Sequence, residues 1–310
     1  MTGQMEHTTV LMTGATGFLG RACLAALAGK EIVATHRGPT PAPREGVTWV
    51  AADLADTESL SALCAAHRPT HLLALAWEMG PGYQTSVDNY RWIGRSVDLL
   101  AAFAANGGRR AVFCGSCMEY DWSDEAPLVE DVTPLRPDTD YGAAKAGLAT
   151  VWEPLAARLG LSAAWARPFF LYGPGENPRR LAADVIVSLL EGREALCGAG
   201  AGRRDFLHVD DVAGAMTALL LSPHEGAFNI AGGAAVPMAD LVGEIARQIG
   251  RPDLLRLGAR PTRPGEPGLV EADITRLRDI LGWRPMYTLQ TGLADTIAWW
   301  RRELAKDGTS

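Results

Sequence analysis

Lysine is nearly missing from this chain: 310 residues hold Lys30, Lys145 and Lys306 and no others. The basic surplus that a nucleic-acid surface requires is absent too, since the formal net charge is −7. No apolar run approaches the ~20 residues that span a bilayer, which excludes a transmembrane helix. The first nine residues, Met1 to Thr9, lack the charged-then-apolar pattern of a secretory signal and read as a flexible leader, so the expected compartment is the cytoplasm. Five cysteines, an odd number, argue against a disulfide framework and for a reducing environment. Cys114 and Cys117 form a C-x-x-C, but a thioredoxin-like reading needs that motif at a helix start, and the surrounding residues explain the segment better. Internal repeats, low-complexity segments and metal-ligand clusters are also lacking.

What the chain does have is core material, with 47% apolar residues, enough for one large domain or two closely joined ones. A short apolar run ends at Thr13, three glycines follow as Gly14-x-x-Gly17-x-x-Gly20, and a helical pattern begins. Strand, tight turn and helix N-terminus in that order make a diphosphate cradle. Gly14 supplies the sharp turn, Gly17 lets backbone approach the anion, and Gly20 lets helix pack on strand. The free N–H groups and the positive end of the helix dipole then face the phosphates.

The rest of the first half alternates. Arg21–Ala28 reads as a helix, Glu31–Thr35 as a strand, Val47–Ala51 as a strand, and Thr57–His67 as a helix capped by Asp56 or Thr57. Thr70–Ala76 reads as a buried strand, Tyr90–Ala105 as a helix, and Arg109–Cys114 as a fifth strand. This pattern predicts an α/β protein, a Rossmann-type doubly wound parallel sheet with a smaller C-terminal substrate-binding region. The expected division gives residues 1–172 to the NAD(P)-binding domain, with 204–233 returning to it, and 173–203 with 234–310 to the substrate region. Ala227–Ala231 is the expected returning strand and Leu289–Leu304 a closing helix.

An NAD-specific site usually carries Asp or Glu at the end of the second strand, to bond the ribose hydroxyls. His36-Arg37 stands there instead, and Arg37 suits a 2′-phosphate, so NADP(H) is favoured over NAD(H). Asp53-Leu54, past the third strand, is placed for the adenine. Ser116 lies just beyond the fifth strand, at the ligand-binding edge of such sheets. Tyr141 and Lys145 share one helical face at i and i+4. An ammonium and a nicotinamide charge both favour phenolate, so the Tyr141 pKa is expected to fall toward neutrality, as a proton-transferring tyrosine requires.

With these residues in place, the chain resembles the extended short-chain dehydrogenase/reductases that modify nucleotide sugars. The resemblance rests on T-G-x-x-G-x-x-G at Thr13–Gly20, Ser116, and Tyr141 with Lys145. It extends through Arg167-Pro-Phe-Phe-Leu-Tyr-Gly-Pro174, Arg204-Asp-Phe-Leu-His-Val-Asp-Asp211, Arg263-Pro-Gly-Glu266 and Leu281-Gly-Trp-Arg-Pro285. It implies hydride transfer between nicotinamide and a sugar carbon. Ser116 then bonds the sugar oxygen, Tyr141 exchanges its proton, and Lys145 holds the ribose and tunes Tyr141. Thr16, Phe18, Leu19, Leu75, Ala76 and Pro168 are the further cofactor neighbours it implies. Arg204 and Arg263 are implied to grip the nucleotide diphosphate, while His208, Asp210 and Asp211 read as caps and loop ties. A homodimer through a four-helix contact is usual for this family.

Three departures from the family pattern narrow the reading. Dehydratases of the 4,6 type carry Asp-Glu after the strand-five hydroxyl residue, where this chain has Cys117-Met118. Cys117 and Glu119 are then the remaining acids for a divergent dehydratase. The substrate-strand Asn is replaced by Phe170, with Asn177 as its substitute in the next loop. The helical Asn is replaced by Trp92, with Asn89 one turn earlier, so Trp77, Trp92, Trp122 and Tyr120 either wall an unusual sugar pocket or are core. Cys117–Trp122 resembles the abequose- and paratose-synthase branch. The expected function is reduction of the 4-keto group of an NDP-4-keto-6-deoxy sugar, with an NDP-sugar 4-epimerase holding tightly bound NAD as runner-up. A non-catalytic cofactor sensor is disfavoured because Tyr141 and Lys145 are both present.

Overall fold

A computed structural model of the chain describes residues 8–261 and 265–307; residues 1–7, in the expected leader, and Arg263, an expected diphosphate ligand, lie outside them. Seven strands build the main sheet: β1 (Thr9–Thr13), β2 (Glu31–His36), β3 (Val47–Ala51), β4 (His71–Ala74), β5 (Arg110–Cys114), β6 (Ser162–Pro168) and, much later, a strand at Gly226–Ile230. Four short strands precede that last one: β7 (Phe170–Tyr172), β8 (Ala195–Leu196), β9 (Arg203–Arg204) and β10 (Phe206–His208). The Gly226–Ile230 strand is therefore β11, and β12 (Val236–Pro237), β13 (Leu255–Arg256) and β14 (Leu269–Val270) follow it.

The spatial order is β11-β6-β5-β4-β1-β2-β3, and all neighbours run parallel. The chain lays β2 and β3 on one side of β1, then crosses to lay β4 on the other. That reversal opens a crevice at the carboxyl ends of β1 and β4, where ligands bind in open sheets of this kind.

Helices cover both faces. Apolar residues of α1 (Phe18–Ala26) and α6 (Val209–Leu220) pack on one side, among them Cys23, Leu24, Met216 and Leu219. On the other lie α2 (Thr57–His67), α3 (Asp88–Ala105) and α4 (Asp140–Arg158), through Leu60, Leu100, Phe103 and Trp152. A separate core unites α5 (Leu181–Leu190), α7 (Met238–Ile249) and α8 (Leu289–Asp307), with Trp300 inside it.

Several boundaries differ from the sequence expectation, two of them at the crevice, and the open choice of cap for α2 is decided. Helix α1 begins at Phe18, three residues early, because Gly17 acts as its N-cap. Strand β4 stops at Ala74, as the Leu75 and Ala76 amides turn to the carbonyl and the hydroxyl of Thr13 (both 3.3 Å). Asp56 alone caps α2, accepting the Ser59 amide at 3.0 Å.

Candidate active site

The crevice is built on the glycine turn. Gly14 has φ +70°, and a Cβ there would lie 2.8 Å from the Ala76 amide nitrogen. A Cβ on Gly20 would sit 2.1 Å from the Gly14 carbonyl oxygen. Strand β1, helix α1 and the Leu75-Ala76 segment therefore meet more closely than any side chain allows. The first turn of α1 carries no acidic residue, so nothing competes there for its N-terminal amides. Gly17 and Thr16 are exposed, and Phe18 and Leu19 are half-buried. Arg21 donates to the Thr16 and Gly175 carbonyls at 2.9 Å each, tying the turn to the loop after β7.

At the end of β2 the His36 ring is buried against the edge of Trp49, and among the described residues its Nδ1 has no hydrogen-bond partner. Arg37 pairs with Glu78 at 3.3 Å, both side chains exposed. Asp53 is exposed and accepts the Ala55 amide at 2.9 Å, beside a buried Leu54. A cradle that a Cβ would fill, a helix N-terminus free of acids and an unpartnered buried imidazole fit a dinucleotide with its diphosphate on the turn and its adenosine toward β2.

Ser116 lies two residues past β5 and caps a short 3-10 turn at Cys117–Glu119. Its hydroxyl accepts the Met118 amide at 3.2 Å, while the Glu119 carboxylate accepts the Ser116 amide at 2.7 Å. Helix α4 reaches this turn through Gly142, where a Cβ would lie 2.2 Å from the Met118 carbonyl oxygen. Thr139 caps the helix by accepting the Gly142 amide at 3.1 Å. Tyr141 is thereby brought to Ser116, and its buried ring stands edge-on to Trp77 (6.2 Å) and to Tyr83 (5.0 Å).

One expectation is corrected here. Lys145 does not pull the Tyr141 phenol down; burial, first, and then the charges of Cys114, Tyr83 and Glu119 push it well above the ordinary tyrosine value, and only a Ser116 hydrogen bond acts the other way. The Lys145 Nζ points instead at the Cys114 carbonyl, 2.6 Å away, and lies 5.7 Å from the Tyr141 ring centroid. Burial lowers Lys145 to about 8.

Glu119 and Cys117 are likewise not spare acids. Glu119 is fully buried and held by Arg167 Nε (2.7 Å), by Trp165 Nε1 (3.0 Å to each oxygen) and by the Ser116 amide. Cys117, expected to touch substrate, is buried in an apolar cluster with Leu128, Phe169 and Val270, and burial pushes its thiol far up. Its partner in the C-x-x-C, Cys114, is a free thiol as well. Tyr120 proves to be core: its hydroxyl donates to Asn229 at 2.7 Å and accepts from Arg167 at 3.0 Å. Trp92 is buried behind Trp77, and the indole of Trp122 donates to the Cys117 carbonyl at 3.0 Å.

Of the other expected ligands, Pro168 is buried at the end of β6. Asn177 is exposed and its Oδ1 accepts the Arg179 amide at 3.0 Å, so it closes a turn before α5. Arg204 is buried in β9, donating to Glu266 at 3.3 Å. His208 caps α6, and Asp211 accepts the Met286 and Tyr287 amides at 2.8 and 3.0 Å, as tie residues should.

Two neighbours of the phenol were not foreseen. Tyr83 lies in a short turn after β4, and Arg180 donates to its hydroxyl at 3.2 Å. Glu176 is buried close by Arg180. Their sequence signals are weak, since each becomes a neighbour only when distant loops meet.

Residues 10–231 match the model of the NAD dependent epimerase/dehydratase family. The dTDP-glucose 4,6-dehydratase of Streptomyces niveus is 31% identical over 60% of this chain and 54% of its own length. The UDP-glucose 4-epimerase of Mycolicibacterium smegmatis is 27% identical over 94% of this chain and 98% of its own. The dTDP-4-dehydro-6-deoxy-D-allose reductase of Streptomyces bikiniensis is 28% identical over 94% and 96%. Among solved structures, MoeE5 in complex with UDP-glucuronic acid and NAD superposes with a TM-score of 0.82, at 28% identity over 95% of this chain and 99% of that one.

Proposed function

The chain belongs to the NAD-dependent epimerase/dehydratase family, whose members are NAD-dependent enzymes of nucleotide sugars, and from that premise we propose that it reduces the 4-keto group of an NDP-4-keto-6-deoxy sugar. The cofactor, when bound, supplies hydride. Ser116 bonds the keto oxygen, Tyr141 gives that oxygen its proton, and Lys145 holds the ribose. Arg204 and Arg263 take the diphosphate, Arg204 by exchanging the partly exposed Glu266 for phosphate oxygens.

The observation that carries this reading is the state of the acids beside Ser116. Elimination of water needs a free acid there, yet Glu119 is spent on Arg167, Trp165 and the Ser116 amide, and the acid-pair positions hold Cys117 and Met118. Burial keeps the Tyr141 phenol protonated at rest, the state from which it can give a proton to a keto oxygen. Arg37 supports NADPH over NADH, because an exposed pair with Glu78 is weak and yields to a 2′-phosphate. Relatives solved with a cofactor carry NAD, MoeE5 among them, so the NADPH preference rests on Arg37 alone. A homodimer is part of the proposal, with Tyr90 and Val151 exposed on α3 and α4.

The test incubates purified protein with keto and hydroxy NDP sugars and either reduced cofactor, following its absorbance. The expected result is consumption with the 4-keto sugar, faster with NADPH, with the preference lost in Arg37→Ala. Copurifying NAD and interconversion of hydroxy sugars without net consumption would establish the epimerase instead.

A further inference from the structure

Lys145 is an ammonium at 2% exposure, and among the described residues its Nζ donates to a single acceptor, the Cys114 carbonyl. Burial works against its charge, while the Cys114 thiol and the Glu119 carboxylate work for it. What most closely covers the ammonium is an aromatic face: Trp77 at 3.9 Å, ahead of Phe113 at 4.7 Å and the Tyr141 ring at 5.7 Å. Indole is the strongest of the aromatic cation partners, and the interaction grows as water is excluded.

The Trp77 ring is itself fixed. Its Nε1 donates to Asn89 Oδ1 at 2.7 Å, and Asn89 Nδ2 donates to the Tyr83 and Ser86 carbonyls at 2.6 and 2.8 Å. Behind it Trp92 stacks at 5.5 Å with an interplanar angle of 26°. The departures noted in the sequence, tryptophan at 92 and asparagine at 89, thus meet on one ring. We propose that Trp77, locked by Asn89 and backed by Trp92, is the positioning residue of Lys145, holding its ammonium in place and keeping it cationic in a site that offers it no directly paired carboxylate.

The catalytic meaning of this unit rests on the reductase reading; its test does not. With three lysines in the chain, carbon-labelled lysine gives three NMR resonances, and Lys30 and Lys306 are exposed. In the free protein one resonance titrates well below the other two, and it vanishes in Lys145→Arg. In Trp77→Leu that titration moves to lower pH by about 0.5–1 unit, and in Trp77→Phe by less. Should Trp77→Leu not fold, biosynthetic 5-fluorotryptophan, which weakens the ring face at almost unchanged shape, must move it the same way. A Lys145 titration unmoved by ring removal, or by fluorination, overturns the proposal. Turnover gives a second readout: the alkaline limb of kcat moves to lower pH in Trp77→Leu, whereas a merely structural ring would lower kcat equally at every pH. Failure of the titration leaves ketone reduction standing, and failure of ketone turnover leaves the Lys145 titration standing.

Discussion

Tyr141 has a cation on its own helix face, yet the Lys145 Nζ stays 5.7 Å from its ring centroid. Lys145 is drawn to the Cys114 carbonyl and the Trp77 face, and Arg180 to the Tyr83 hydroxyl. The resting phenol is therefore protonated, and the donor role proposed for it follows from burial rather than from activation. Replacing Tyr141 by Phe removes the proton and little else, because the ring contacts with Trp77 and Tyr83 persist. We expect kcat to fall by about 10²–10⁴ with dinucleotide affinity nearly unchanged, as read by steady-state kinetics beside a fluorescence titration of bound reduced cofactor. A parallel loss of affinity would make the tyrosine a scaffold.

Among the elements, the turn at Cys117–Glu119 and the head of α4 decide whether the site exists. They meet at Gly142, and Gly142→Ala drives a Cβ toward the Met118 carbonyl, backbone against backbone. The helix head must retreat, so turnover should drop at least as far as in Tyr141→Phe, with a stability loss of about 1–3 kcal/mol by thermal unfolding; wild-type kinetics in this variant would show that the contact is dispensable.

What could be read from sequence follows the range of each interaction. The Gly14–Gly20 turn, the Tyr141–Lys145 face and the cap at His208 lie within one turn or one helix face, and spacing reports them. The fate of Glu119 was not legible, because Arg167 lies 48 residues away and a carboxylate in sequence looks the same whether solvated or clasped. Trp77, Asn89 and Trp92 were visible singly as departures. Their assembly needs the loop after β4 folded onto α3, and no periodicity encodes that.

The molecule as a whole joins a dinucleotide sheet to a smaller helical region, and the loop holding Glu176 lies between them, tied to the glycine turn by Arg21. Burial raises Glu176 to about 8, with Arg180 opposing, and Asp205 is raised to about 6. Both folded-state values lie above those of an unfolded chain, so the stability linked to these groups is present in acid and is lost as pH rises through about 6 and then about 8. The melting temperature should therefore fall from about pH 4 up to about pH 8 and level off above it. Glu176→Gln should flatten that fall, at a linked free energy on the order of a few kcal/mol. A wild-type curve that is flat over that range, or an unchanged slope in Glu176→Gln, would place the linkage elsewhere.

In the proposed reaction hydride goes to a sugar carbonyl whose oxygen is protonated by Tyr141. Its most direct measurement uses reduced cofactor carrying deuterium at the transferable position, an NDP-4-keto-6-deoxy sugar and NMR of the product. One deuterium at sugar C4 is expected for each cofactor oxidised, and almost none with Tyr141→Phe. Product sugar without deuterium, or hexose epimers formed while the cofactor is not consumed, would contradict it.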